Sequence, residues 1–478
     1  MKRTYENALK LLQTRRRTAR PKGAAAPPPR DAASTPATNT LKGVPSLVGM
    51  KEWLQTLGHS DRDINRLNIV HIAGTKGKGS TCAFTRSFLH AHSRRTGFPS
   101  RIGLYTSPDL RCIRERIQID NQPIPEELFT QYFFEVWERL QPPDGASQPR
   151  QPRYLQFLAL LAFHTFIREN VEAAIFETHH GGEFDATNVI SRPVVTAITS
   201  LGMDHLDQLG PTVQDIAWHK SGIFKPGALA LSVPQEAGLV EVMDKRAEEK
   251  GTKLRIVPPN GSLPKNNRVL SIPVQRLNCL LALEIGRGFL QQIAPGHEIT
   301  AEDIAHGVDN FSWAGRFEVL VDGDSQWFLD GAHNTLSLEQ VAEWYAKNVT
   351  AQRCRVLIFS HFNEDRDGVA LVKNIAQALT KHNARPEYVI FTTYDEREDG
   401  STRIDKNLKE PETPFPDYRT IYSSLWNEID PQAAVSSEST IEGAIKAALE
   451  IGHRNGGMQV LVTGSLHLVG GALNILRP

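Results

Sequence analysis

Residues 71 to 81 read HIAGTKGKGST, and the fold turns on that stretch. Upstream, Leu67 to Ile72 has the continuous apolar pattern of a buried strand, and downstream Thr81 to His90 has the spacing of a helix. A glycine-rich loop in that setting lets backbone N–H groups face a phosphate, while the helix N-terminus adds positive potential. Gly74, Thr75, Lys76, Gly77, Lys78, Gly79 and Ser80 are the candidate nucleotide loop. Lys78 is the mobile charge for the terminal phosphates, and Ser80 is close enough to approach them or their magnesium. The spacing is GxxGKGS, a departure from GxxxxGK[ST]. A turn that binds nothing is the alternative, but lysines at 76 and 78 among these glycines are unfavourable without an anion.

Outward from the loop, short β-branched runs alternate with helical patterns. LNIVHIAG, VEAAIFE, VVTAITSLG and ALALSVP read as strands, and STCAFTRSFLHAH, VQDIAWHK and VEVMDKRAEE as helices. That order predicts an α/β fold with a parallel sheet covered by helices on both faces. Between Gly251 and Asn310 the pattern is less clear. Beyond Trp313 it restarts with WFLDGAH, RVLIFSHF, YVIFTTY and MQVLVTG, enough for a second α/β domain. The expected division is 1–308 and 309–478. Residues 14–40, rich in Pro, Ala and Arg, lack any core-forming period and read as a disordered insertion. PRYLQFLALLAFHTFI, residues 152–167, reads as a core helix.

The totals exclude several classes of function. With 478 residues, 54 Lys plus Arg and 54 Asp plus Glu, the chain carries no net field to draw it to nucleic acid or an anionic membrane, so small molecules are the expected partners. Cys82, Cys112, Cys279 and Cys354 form no CxxC pair, which argues against a zinc ribbon or a disulfide framework. No apolar stretch is long enough to span a bilayer, and MKRTYENALKLL is an amphipathic helix without a signal-peptide core. The expectation is a cytoplasmic monomer. The basic TRRRTAR behind that helix leaves a mitochondrial address as the alternative.

GTKGKGSTCAF, GLYTSPDL, RERI, GGEFDATN, SLGMDHLDQLG, IAWHKSGIFKPG, WAGRFE, LDGAHN, FNEDRD and VLVTGSLHLVGG occur in that order. Together they resemble the folylpolyglutamate synthases, members of the Mur ligase superfamily, from about residue 4 to the C-terminus. The resemblance implies a Mur ligase-type P-loop ATPase domain and a smaller Rossmann-like α/β C-terminal domain. It implies that ATP phosphorylates a carboxylate and that the amine of L-glutamate attacks the acyl phosphate, the acceptors being reduced folates with a γ-linked glutamate tail. It places magnesium on Ser107, Glu177 and His205, all expected at or just beyond the carboxyl ends of parallel strands, where ligands collect. Lys220 matches the lysine that carries a carbamate and helps hold a second magnesium; a monovalent cation is a further cofactor of the resemblance. Arg316 and Asp330 become ATP contacts, His333 a phosphate contact that arrives on domain closure, and Asn278 a residue near the adenine or the linker. FNEDRD and TGSLHLVGG are read as folding and substrate-edge elements of the second domain.

The chain departs from that pattern in two places. Where the family has a smooth glycine-rich loop after its glutamate, this sequence has Thr178, His179 and His180, and Asp109 stands where histidine is usual. Magnesium seldom chooses imidazole, so Glu177 is the expected ligand. The histidines are left to line the substrate pocket, to lie outside it, or to hold a transition metal. Two rivals to the ligase reading follow: a paralogue joining an amino acid to a non-folate carboxylate, and a nucleotide-binding regulator without turnover. Retention of Lys78, Glu177, His205, Lys220, Arg316, Asp330 and His333 argues against the second.

Overall fold

The computed structural model describes residues 2–16, 45–141, 150–203, 206–264, 267–362, 367–401, 403 and 417–477. The chain forms two compact units: Met1–Asp109 with Arg114–Ser312, and Leu110–Ile113 with Trp313–Pro478. His205, most of the 14–40 tract and Asn363 to Arg366 of FNEDRD fall outside the described residues.

The first unit is built on eight strands: β1 (Val70–Ala73), β2 (Ile102–Tyr105), β3 (Ile117–Ile119), β4 (Gln122–Pro123), β5 (Ala173–Glu177), β6 (Val195–Ile198), β7 (Leu229–Ser232) and β8 (Leu254–Ile256). Their order is β4-β3-β2-β5-β1-β6-β7-β8. From β2 to β8 all neighbours in that order run parallel. β1, which delivers the glycine-rich loop, is central, with Ile72 opposite Glu177 and Ala73 opposite Ile198. Helices cover both faces. Ile198 and Ala230 pack with Met243 of the helix Ala237–Glu249. Val195 and Leu229, pointing the other way by strand alternation, close on Gly288 of the helix Pro273–Ile293. The expected core helix is Tyr154–Arg168, and its Phe163 stacks on Phe176 of β5 at 4.4 Å.

Three departures from the sequence reading have local causes. The helix after the loop runs Lys78–Thr96, longer at both ends than Thr81–His90, because Gly77 at φ +89° starts it directly and Gly97 at φ +83° stops it. β3 and β4 form an antiparallel hairpin on one edge, with Asp120 and Asn121 both at positive φ, a two-residue turn hidden inside RERIQIDNQP. Residues 14–16 do not belong to an unstructured tract: Tyr154 N donates to the Arg15 carbonyl at 3.0 Å.

The second unit has six strands: β9 (Glu318–Asp322), β10 (Ser325–Leu329), β11 (Cys354–Phe359), β12 (Tyr388–Phe391), β13 (Ala434–Ser437) and β14 (Met458–Thr463). The order is β13-β12-β11-β14-β10-β9, parallel except for β9 against β10. The edge strands β9 and β13 are largely exposed: Leu320 is the one fully buried position of β9, and β13 buries none of its four residues fully.

Gly182 shows how closely the loop after β5 is packed. A Cβ there would stand 2.3 Å from the His219 carbonyl oxygen and 2.6 Å from that of Lys220, both backbone atoms that cannot swing aside. Gly182→Ala is therefore expected to destabilise the first unit by about 1–3 kcal/mol, read as a lower thermal midpoint; an unchanged midpoint would show that the loop is free to move.

Candidate active site

The glycine-rich loop is held from three sides. Thr75 N and Lys76 N donate to the Ser200 carbonyl at 2.9 and 3.1 Å, tying the loop to the segment after β6. Gly74 sits at φ +147° with Thr199 so close that a Cβ would lie 1.8 Å from its Oγ1. Gly77 abuts Asn278, whose Oδ1 would be 2.3 Å from a Cβ at that position. Asn278 is thus brought against the loop backbone, and only glycine permits the approach.

Two lysine amines meet at one backbone carbonyl. Lys78 Nζ donates to Gly74 O at 3.1 Å and Lys220 Nζ donates to the same oxygen at 2.8 Å. Lys220 is buried at the end of the helix Val213–Lys220 and donates also to the His180 carbonyl at 3.3 Å. Lys78 faces Glu177 Oε1 at 3.9 Å. Glu177, buried at the end of β5, accepts from the Thr106 hydroxyl and from Ser107 N, the latter at 3.3 Å. Ser107 Oγ accepts from Arg116 Nη1 at 2.9 Å, and Arg116 pairs with Asp109 at 2.5 Å. The structure therefore gathers Lys78, Glu177, Ser107 and Lys220. Thr106, Arg116 and Asp109 complete the cluster; TSPDL and RERI carried them in the sequence, with nothing to show that they meet.

The two histidines of ETHHGG have separate settings. His179 is 6 % exposed. Its Nε2 shares a 2.6 Å hydrogen bond with the Tyr105 hydroxyl, and its Nδ1 lies 3.4 Å from Asp185 Oδ1. Burial pushes the imidazole below its ordinary range against the pull of Asp185. Asp185 also accepts from His179 N, His180 N, Thr187 N and the Thr187 hydroxyl, and that hydroxyl reaches His71 of β1. His179 is a brace inside the loop, while His180 is half-buried and offers its carbonyl to Lys220.

Hard oxygen donors at Glu177 and Ser107 suit magnesium, which prefers oxygen and keeps waters and substrate phosphates for its remaining positions. The glycine cradle at Gly74 and Gly77 suits a phosphate. Among the described residues no group of three or more His, Cys, Asp or Glu side chains stands ready to form an all-protein cage.

In the second unit Asp330 follows β10, buried, and accepts from Phe317 N at 2.9 Å. Burial raises its carboxyl to about 6, opposed by the Arg316 guanidinium. His333 Nδ1 bonds the Gly331 carbonyl at 2.7 Å, and Asn334 caps the next helix, Thr335–Asn348.

The chain is 38% identical over 454 residues to the folylpolyglutamate synthase of Neurospora crassa, covering 90% of this chain and 85% of that protein. It belongs to the folylpolyglutamate synthase family. A probable folylpolyglutamate synthase of Schizosaccharomyces pombe is 39% identical over 448 residues, covering 90% and 88%. The folylpolyglutamate synthase of Saccharomyces cerevisiae strain AWRI796 is 37% identical over 459 residues, covering 91% and 82%. No family model matches the chain. Among solved structures, the Mycobacterium tuberculosis folylpolyglutamate synthase complexed with ADP and AMPPCP superposes with a TM-score of 0.71 at 22% identity, covering 91% of this chain and 96% of that one. An S73A mutant of the L. casei enzyme gives 0.71 at 20%, covering 99% and 100%. These share the two-domain Mur ligase fold. The chain is an enzyme of the family's class, an ATP-dependent ligase that lengthens the glutamate tail of folates.

The raised Asp330 has a pH signature. Its folded value of about 6 lies above the ordinary 3.8, so the native state binds the proton more tightly. Its contribution is favourable below pH 4 and is lost as pH rises through about 6. Asp330→Asn, which keeps an acceptor for Phe317 N, is expected to gain stability relative to the parent between pH 4.5 and 7.5, by at most about 3 kcal/mol. Urea denaturation at both pH values checks it; a constant difference would sink the assignment.

Proposed function

We propose that the first unit binds ATP and magnesium and that its cluster transfers the terminal phosphoryl group to the γ-carboxylate of a tetrahydrofolate (poly)glutamate. The observation that carries the reading is the convergence of Lys78 and Lys220 on Gly74 O beside Glu177 and Ser107. It gathers cationic and hard-oxygen groups where several negative charges must meet in line.

In this reading the loop N–H groups from Gly74 to Ser80 cradle the polyphosphate, and Lys78 moves from Gly74 O toward the transferring group. Glu177, Ser107 and His205 would hold magnesium, which would supply positive charge to neutralise the phosphates. The attacking carboxylate oxygen forms the bond to phosphorus as the bond to ADP breaks. The free amine of L-glutamate then attacks the acyl carbon, and inorganic phosphate leaves as the amide forms and the amine loses its proton. Lys220, carbamylated, would supply an oxygen ligand to a second magnesium; a monovalent cation is a further candidate. Asn278, Arg316 and Asp330 are given to the nucleotide and His333 to the phosphate. The division of labour proposed is an ATPase and substrate domain followed by a Rossmann-like ligase domain.

Among the described residues no helix is long and apolar enough to cross a membrane. Cys82, Cys279 and Cys354 form no disulfide among the described residues, as a reducing compartment favours, and the reaction is proposed for a cytoplasmic monomer.

Purified protein incubated with tetrahydrofolate monoglutamate, ATP, magnesium and labelled glutamate is expected to yield a ladder of glutamate-sized mass increments. Absence of any ladder with ATP binding intact would overturn the folate acceptor. Lys78→Ala should lower kcat by roughly 10²–10³-fold, the loss typical when one preorganised charge donor is removed.

A further inference from the structure

Arg15 and Arg16, the described arginines of the basic run behind the first helix, are left unexplained by the phosphate chemistry. The helix Tyr5–Gln13 ends at Thr14, and Arg15 and Arg16 follow. The Arg15 guanidinium lies over the Trp137 ring at 4.2 Å, and that of Arg16 over the Tyr154 ring at 4.5 Å. Stacking holds the planes of two otherwise mobile side chains and leaves their N–H edges to other partners. Among the described residues neither arginine has a carboxylate within ion-pair distance, and the Nε of each is buried without an acceptor. The Tyr154 hydroxyl, on a side chain 9 % exposed, is likewise buried and bonded to nothing described.

These groups continue the site already described. The Arg116 guanidinium lies 5.9 Å from the same Tyr154 ring, and its Nη1 donates to Ser107 Oγ, beside Glu177. A row of guanidinium groups thus leads from the reaction centre through Tyr154 to the end of the first helix. Arg116 is neutralised by Asp109; among the described residues no carboxylate does the same for Arg15 or Arg16.

We infer that Arg15 and Arg16, held on the Trp137 and Tyr154 rings, form a subsite for the carboxylates of an already γ-glutamylated acceptor. The inference rests on the ligase reading. The reacting carboxylate is the terminal one, so it must sit at Ser107 and Glu177, and earlier residues of the tail trail away with one α-carboxylate each. A fixed guanidinium edge pairs with such a group through two parallel hydrogen bonds. A monoglutamate has no trailing carboxylates beyond its own end and gains little from the row.

The test compares the parent with R15Q/R16Q on tetrahydrofolate mono- and pentaglutamate, with the binding of a free penta-γ-glutamate peptide measured by calorimetry alongside. The variant is expected to raise KM for the pentaglutamate and Kd for the peptide by roughly tenfold, about one charge-assisted hydrogen bond, with the monoglutamate KM within twofold. Equal shifts for both acceptors, or no shift, overturn the subsite. Failure of the parent to bind the peptide, or equal displacement of the peptide by inorganic phosphate, overturns it too, the latter by marking a patch for any anion. If the parent builds no ladder yet binds the peptide and the variant does not, the folate reading fails and the subsite stands. Should the double variant melt early, R16K keeps the charge and loses the planar fork, and tighter or equal peptide binding by it overturns the subsite.

Discussion

The candidate active centre depends on one carbonyl. Gly74 O, just beyond the end of the central strand, takes hydrogen bonds from both Lys78 and Lys220, and Lys78 also faces the Glu177 carboxylate. Glu177 supplies negative charge in the protein alone; a polyphosphate would supply far more. The glycine at this position is required by its φ and by Thr199, so the anchor cannot be moved without reshaping the loop.

Around that anchor the loop after β5 is made rigid by hydrogen bonds: His179 is locked between Tyr105 and Asp185, and Asp185 collects four donors from residues 179, 180 and 187. A buried polar network centred on Asp185 holds the loop geometry because each donor it satisfies would carry a penalty if left unpaired. The loop therefore presents the His180 carbonyl to Lys220 while Gly182 closes on the backbone of residues 219 and 220. The histidines change the loop's support without adding a ligand set that magnesium would choose.

The two units use burial differently. In the second, Asp330 is raised by desolvation with Arg316 as the opposing charge, an arrangement poised to respond when a cationic or hydrogen-bonding partner arrives. In the first, the charges are already paired or fixed on aromatic rings, as with Arg116 on Asp109 and Arg16 on Tyr154. Perturbed and fixed charges of this kind cluster where chemistry is done.

By itself the sequence determined the order of strands and helices, the glycine-rich loop at the end of a buried strand, and Glu177 at the end of another, because those rest on local periodicity and on glycine's backbone freedom. The edge strands β9 and β13 and the β3–β4 hairpin were hidden, since strands this short and largely exposed lack that periodicity. Tertiary structure alone decided which side chains meet: Lys220 with Gly74 across 146 positions, Tyr105 with His179 across 74, Arg16 with Tyr154. Such contacts follow from sheet order and helix packing, and no spacing along the chain encodes them.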